Sequence, residues 1–266
     1  YSVAVNDGIA YLGMRGGGMA AVDVRVPNSP SLVCSATALG GISDIRVAED
    51  RAYVVHRSSD CWYRKKGGAK NARVVGAFDI IDTTDPSAPR WRGQHVTPMP
   101  TENAYFCDYR IAVDRDLACT AWFLWTRANE VLGSIEIVDV STPTSPRVVG
   151  TWQPQEGAPV GVSLVGTTCY VAVSFGNQYS RLFILDVSDP AAPAVLGSCR
   201  LDYSLLFDAR IEVSDGMLYT IYASFHSGDQ YISIVDVHDP SNPRLINSDD
   251  LWYEAHDLAV LNKTVY

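Results

Sequence analysis

The side chains in this chain with the means to do chemistry are scattered rather than gathered into a motif. Glu102, Glu156, Asp202 and Glu254 offer carboxylates, and His56, His226 and His256 offer imidazoles. With Tyr105, Tyr203, Trp252 and Tyr253 beside them, such groups could serve as acid and base or hold a cation. No HExxH, GxSxG or phosphate-loop pattern organises them, however. Binding chemistry is better represented. Trp122, Phe123 and Trp125 with Arg127 form an aromatic segment of the kind binding surfaces concentrate. The stretch 54–75 holds Arg57, Arg64, Lys65, Lys66, Lys70 and Arg73 against Asp60 alone, a basic island in a chain of net charge -9. The candidate binding residues are therefore Trp122, Phe123, Trp125, Arg127, Arg64, Lys65 and Lys66, together with Trp252, Tyr253 and His256. No catalytic residue, metal ligand or cofactor is assigned.

Five further aspartates stand in a fixed phrase, an apolar strand followed by Asp and, four residues later, the first of two prolines. They are Asp23, Asp82, Asp139, Asp186 and Asp236, spaced 47 to 59 residues apart. Their regularity suggests either metal ligation or turn capping, and capping is the favoured reading: the carboxylate accepts backbone N–H groups just ahead while Pro presets the turn. The second Pro opens the following strand, where a missing donor is tolerated. A second landmark precedes each phrase: VNDGIAYLG, VAEDRAYVV, VDRDLACTA, LVGTTCYVA and VSDGMLYTI, two apolar stretches around a tight turn.

A unit is then strand, tight turn, strand, variable loop, strand ending in Asp, Pro turn and fourth strand. Repetition at this period predicts an all-β β-propeller of four-stranded blades. Third strands are expected near 19–24, 76–82, 134–140, 181–187 and 231–237. Units fall at about 1–40, 41–100, 101–153, 154–203 and 204–250, within one domain spanning 1–266. Residues 251–266 repeat the opening hairpin, as the start of a sixth blade in a natural protein of six or more, or as a clasp pairing elsewhere.

The pairing of AYV-type hairpins with IVDVSDPxxP phrases resembles the LVIVD repeat of bacterial and archaeal secreted or surface propellers. Departures stand at Cys119, where Tyr is expected, and at Val26, where Asp usually precedes Pro. The resemblance implies the propeller fold and an extracellular, cell-surface or periplasmic location. It carries over no catalytic residues.

The register sends the long loops to one face: the basic loop, the aromatic segment, 174–180, 225–230 and the crossings between units. Functional variation concentrates on such loops. The expected function is a non-catalytic scaffold binding a protein, glycan or surface through that face. The alternative is a hydrolase or lyase acting on an anionic or carbohydrate substrate in the central funnel. The acidic balance argues against nucleic acid as a partner, and no apolar run is long enough to span a membrane. Of six cysteines, Cys61 and Cys107 are the pair expected to bridge. Cys34 and Cys199 are expected to stay apart, and so are Cys119 and Cys169, since packed sheets stand ~10 Å apart and a disulfide needs Cα atoms within ~7 Å.

Overall fold

The protein was analysed as a computed structural model, which describes residues 2–14, 18–36, 42–57, 74–101, 104–128, 130–176, 179–202, 209–223, 230–251, 258, 260–261 and 264–265. Among these residues there is no helix, and hence none long and apolar enough to cross a membrane. The described strands form five four-stranded antiparallel sheets, each a meander in chain order. The first contains β1 (Ser2–Asn6), β2 (Ile9–Gly13), β3 (Met19–Asp23) and β4 (Ser31–Ala36). The second contains β5 (Asp44–Ala48), β6 (Arg51–Arg57), β7 (Val74–Asp82) and β8 (Arg90–Pro98). The third is β9 (Ala104–Asp114), β10 (Leu117–Thr126), β11 (Val131–Asp139) and β12 (Arg147–Trp152). The fourth is β13 (Ala158–Val165), β14 (Thr168–Ser174), β15 (Ser180–Asp186) and β16 (Ala194–Leu201). The fifth is β17 (Arg210–Ser214), β18 (Met217–Ala223), β19 (Gln230–Asp236) and β20 (Arg244–Leu251). This is the β-propeller that the repeats predict, with all five third strands in the expected places.

Burial explains the order of strands. The β7 sequence VVGAFDIID is apolar but for Asp79 and the terminal Asp82 and is covered on both faces up to Ile81, whereas β12 and β20 are largely exposed, as outermost strands are. Contacts divide the chain into two compact units: Tyr1–Ala118, Leu124–Asn129 and Val138–Arg147, and Cys119–Phe123, Glu130–Ile137 and Val148–Tyr266. In the first unit β5 packs beside β1 and β9. Ile9, Tyr11 and Met19 of the first blade share a buried cluster with Ile45, Ala52 and Val54 of the second. In the other unit β17 packs beside β13 and beside β21 (Val260–Leu261), which pairs with β22 (Thr264–Val265). The hairpin legible near the end of the sequence thus lies against β17 as β5 lies against β1. Leu258 closes over Tyr219 and Ile221 there.

Candidate functional site

The repeated aspartates come first, because their role decides which face is free for function. Oδ1 of each accepts the backbone N–H two residues on: Arg25 to Asp23 at 3.0 Å, Thr84 to Asp82 at 2.9 Å, Ser141 to Asp139 at 3.0 Å, Ser188 to Asp186 at 2.8 Å and His238 to Asp236 at 3.0 Å. The residue after each Asp donates its N–H to the preceding hairpin tip, as Val24 does to Gly8 at 2.8 Å and Val187 to Thr167 at 2.8 Å. One residue before the first Pro, a carbonyl accepts the N–H three positions on and closes the Pro turn, as in Ala192 to Asp189 at 3.0 Å. These aspartates are turn caps. The Arg25 guanidinium, followed by the Arg25 N–H, pulls the Asp23 carboxyl down to about 2. Hydrogen bonds from Thr84 and Arg92 likewise hold Asp82 well below the usual carboxylate range. Among the described residues no group of three or more His, Cys, Asp or Glu side chains is arranged to hold a metal ion.

At the hairpin tips the first residue enters the left-handed region in every blade: Asp7 at φ 47°, Glu49 at 53°, Arg115 at 52°, Gly166 at 59° and Asp215 at 50°. The tips and Pro turns of the first two blades enclose a groove of about 560 Å³, lined by Asp7, Tyr11, Arg25, Glu49, Asp50 and Asp85 among others. Sequence reading assigned this face no role. The acidic tips were the signal available.

On the opposite face the aromatic segment departs from expectation. Trp122, Phe123 and Trp125 are not in a loop, because β10 continues as a strand through Thr126. Phe123 lies in the core at 2% exposure, while Trp122 and Trp125 are half-buried and Arg127 is exposed. The Phe123 ring thus points inward, a correction to its place among solvent-facing anchors. A long apolar strand and an aromatic loop look alike in one sequence, since both are runs of large hydrophobic residues.

Arg64, Lys65, Lys66, Trp252, Tyr253 and His256 lie outside the described residues, as do Cys61, Glu102, Tyr203, His226 and Glu254. Glu156 and Asp202 are exposed. Cys34 and Cys199 are free thiols, as expected; burial raises that of Cys199 to about 11.

His56, a candidate acid or base, is 3% exposed and turned inward. Its Nε2 lies 2.9 Å from Oδ2 of Asp79, whose Oδ1 accepts Trp91 Nε1–H at 3.0 Å and Gln94 Nε2–H at 2.8 Å. Burial pushes the Asp79 carboxyl up, but hydrogen bonds from His56, Trp91 and Gln94 outweigh it and hold the carboxyl below its ordinary value. First strands carry a second buried polar set. Ser2 Oγ donates to Asp44 at 2.8 Å, Arg46 stands 3.6 Å from Asp44, and Arg110 stands 3.2 Å from Asp108.

The exposed constellation lies on the fourth blade, between β14 and β15. Phe175 donates its backbone N–H to Tyr179 at 3.0 Å, which closes the turn. The two rings stack, with centroids 4.5 Å apart and planes 14° from parallel. The Arg200 guanidinium sits 4.9 Å from the Tyr179 ring centre. Both rings are half-buried and Arg200 is exposed. The result is a flat aromatic platform edged by a fixed positive charge, able to stack on a planar or CH-rich ligand face and to donate hydrogen bonds from the guanidinium. The looped segment 174–180 was expected to carry function, but its aromatic pairing depends on the turn.

Fold and site together define a β-propeller with capped turns on one face and a variable, partly aromatic opposite face. The LVIVD repeat model matches residues 1–38, 132–153, 157–200 and 222–250, and the chain belongs to that repeat family. The second blade lies outside these matches yet builds the same turn, with Thr84 N–H on Asp82 and Thr83 N–H on the Asp50 carbonyl at 2.7 Å. No curated protein sequence matches the chain. Among solved structures it is similar to a Lactobacillus plantarum protein, with 13% identity and TM-score 0.60 over 93% of this chain and 70% of that one. It is also similar to Kuenenia stuttgartiensis hydrazine synthase, with 15% identity and TM-score 0.56 over 89% of this chain and 64% of the other. A third is an exo-β-1,3-galactanase of Phanerochaete chrysosporium with bound β-1,3-galactotriose, with 11% identity and TM-score 0.56 over 86% of this chain and 57% of that one. The chain thus spans less than two thirds of the hydrazine synthase and galactanase chains. At these identities the likeness is one of fold.

Proposed function

We propose that this protein is a binding scaffold of the cell surface or extracellular space, non-catalytic, that takes a glycan on its looped face. One observation carries the reading: the stacked Phe175–Tyr179 pair with Arg200 beside it, half-exposed at the end of a rigid blade. Sugar rings present CH faces that stack on aromatic planes, and a guanidinium pairs with hydroxyl or carboxylate groups. The repeat aspartates and the His56–Asp79 pair support it from the other side, being committed to turns and to the interior of the second blade. Binding of β-1,3-galactotriose and of an acidic oligogalacturonide, measured by calorimetry, tests the reading. Tyr179→Ala and Arg200→Ala are each expected to weaken capture about tenfold or more, with thermal melting nearly unchanged. Saccharide binding that ignores both substitutions overturns the site, and binding of neither saccharide overturns the ligand class.

A second reading, a hydrolase or lyase acting on an anionic or carbohydrate substrate, is favoured by the buried side chains of Asp44, Asp108 and Arg110 on neighbouring first strands β5 and β9. Cleavage of either saccharide that Asp108→Asn abolishes, in a variant that melts like the parent, would establish it instead.

A further inference from the structure

The second strands open alike: Ile9-Ala10-Tyr11, Arg51-Ala52-Tyr53, Leu117-Ala118-Cys119, Thr168-Cys169-Tyr170 and Met217-Leu218-Tyr219. The third residue of the phrase is Tyr in four blades, and the second is Ala in three. In the first two blades these positions belong to one core, since Tyr11 and Ala52 share a buried cluster. A large ring on one blade is therefore matched with a small residue on the next. At the third and fourth blades both halves of that match are changed at once, the Tyr to Cys119 and the Ala to Cys169. The two departures meet. Cys119 and Cys169 are joined by a side-chain hydrogen bond, and each is 0% exposed. Both are free thiols in this structure, in keeping with the sheet spacing, yet their side chains come within hydrogen-bonding reach of each other.

We propose that Cys119 and Cys169 are a disulfide-forming pair that staples the third blade to the fourth. The two thiols lose two electrons and two protons to form one S–S bond. An external disulfide is the acceptor and leaves as two thiols. The bond forms while the chain is folding. In the folded protein both sulfurs are out of reach of solvent, and the neighbouring Cys119 thiol together with burial holds Cys169 protonated far above the ordinary thiol range. Since only a thiolate attacks a disulfide, the folded dithiol is inert and the folded disulfide resists reductants for the same reason.

The test is to unfold the full chain, refold it in mixed reduced and oxidised glutathione, then denature and alkylate without reduction. Cys119 and Cys169 are expected to escape alkylation and to appear in one linked peptide pair, 2 Da lighter than its reduced parts by the loss of two hydrogens, about the mass the bond requires. Alkylation of both, or linkage of either to another cysteine, overturns the proposal. A Cys119→Tyr, Cys169→Ala double variant restores the match found in other blades and keeps the test open should single variants misfold. Wild type refolded with oxidant is expected to melt ~5 °C or more above wild type refolded with reductant. The double variant is expected to melt alike in both. Equal melting of the two wild-type preparations also overturns the staple.

Discussion

The aspartate that ends each third strand works through a hydrogen bond spanning only two residues, so its contribution can be isolated one side chain at a time. Asp139 accepts from the Ser141 N–H at 3.0 Å, the Ser141 hydroxyl at 2.6 Å and Arg147 at 2.9 Å. Asp139→Ala is expected to cost ~1 kcal/mol in urea unfolding, and Asp139→Asn clearly less, because Asn keeps the acceptor for the turn. The Arg147 side chain is largely exposed, so its ion pair adds little to that figure. pH gives a second measurement. The carboxyls of Asp23, Asp82, Asp139, Asp186 and Asp236 all titrate below their ordinary value in the folded chain. The unfolded chain therefore takes up protons first as pH falls. Their stabilisation is complete above an unfolded value of ~3.9 and drains away as pH drops through about 2, the folded value of Asp23. Thermal melts should be level from neutrality to ~4 in this respect and fall steeply below it. A melting temperature unchanged at acid pH would remove these caps from the account of stability.

Between elements, the tightest approach is that of a fourth strand to the Pro turn of the next blade. A Cβ on Gly93, Gly150 or Gly197 would overlap the carbonyl oxygen of Pro143, Pro190 or Pro240 respectively. A main-chain oxygen cannot swing aside as a side chain can. Gly150→Ala is thus expected to destabilise by ~2 kcal/mol or more, whereas the same change at an open strand site stabilises by roughly 0.5–1 kcal/mol. Urea unfolding of Gly150→Ala decides it, and a loss under ~0.5 kcal/mol would mean that the neighbouring turn shifts without strain. The same three-blade repetition explains why strand and turn positions were legible. Asp-to-turn and tip-to-strand hydrogen bonds are local, and they are made by residue types suited to almost nothing else there. The aromatic run of β10 was misplaced because nothing local separates a strand that continues from a loop that leaves it.

For the molecule as a whole, stacked repeats make stability approximately a sum of units and nearest-neighbour interfaces. Gly93 and Gly197 meet different turns and have no neighbour in common. Gly93→Ala and Gly197→Ala are expected to add within ~0.5 kcal/mol in the double variant. Cys119→Ala and Cys169→Ala, by contrast, should fall well short of additive in oxidatively refolded protein, since either one alone removes the whole bond. A non-additive glycine pair would show coupling that runs beyond adjacent blades.

The chain by itself determined the propeller, the places of its third strands and the capping role of its aspartates. Each rests on period, on alternation or on hydrogen bonds between residues a few positions apart, all of which are written linearly. Tertiary structure alone decided which side chains meet within and across blades. Phe123 turns into the core, His56 closes on Asp79, Phe175 stacks on Tyr179 under Arg200, and Cys119 finds Cys169. Those meetings depend on the direction in which a side chain leaves its strand and on the twist and spacing of adjacent sheets. A residue's spacing along the chain carries neither quantity, so the chemistry between sheets emerges only when the sheets are packed.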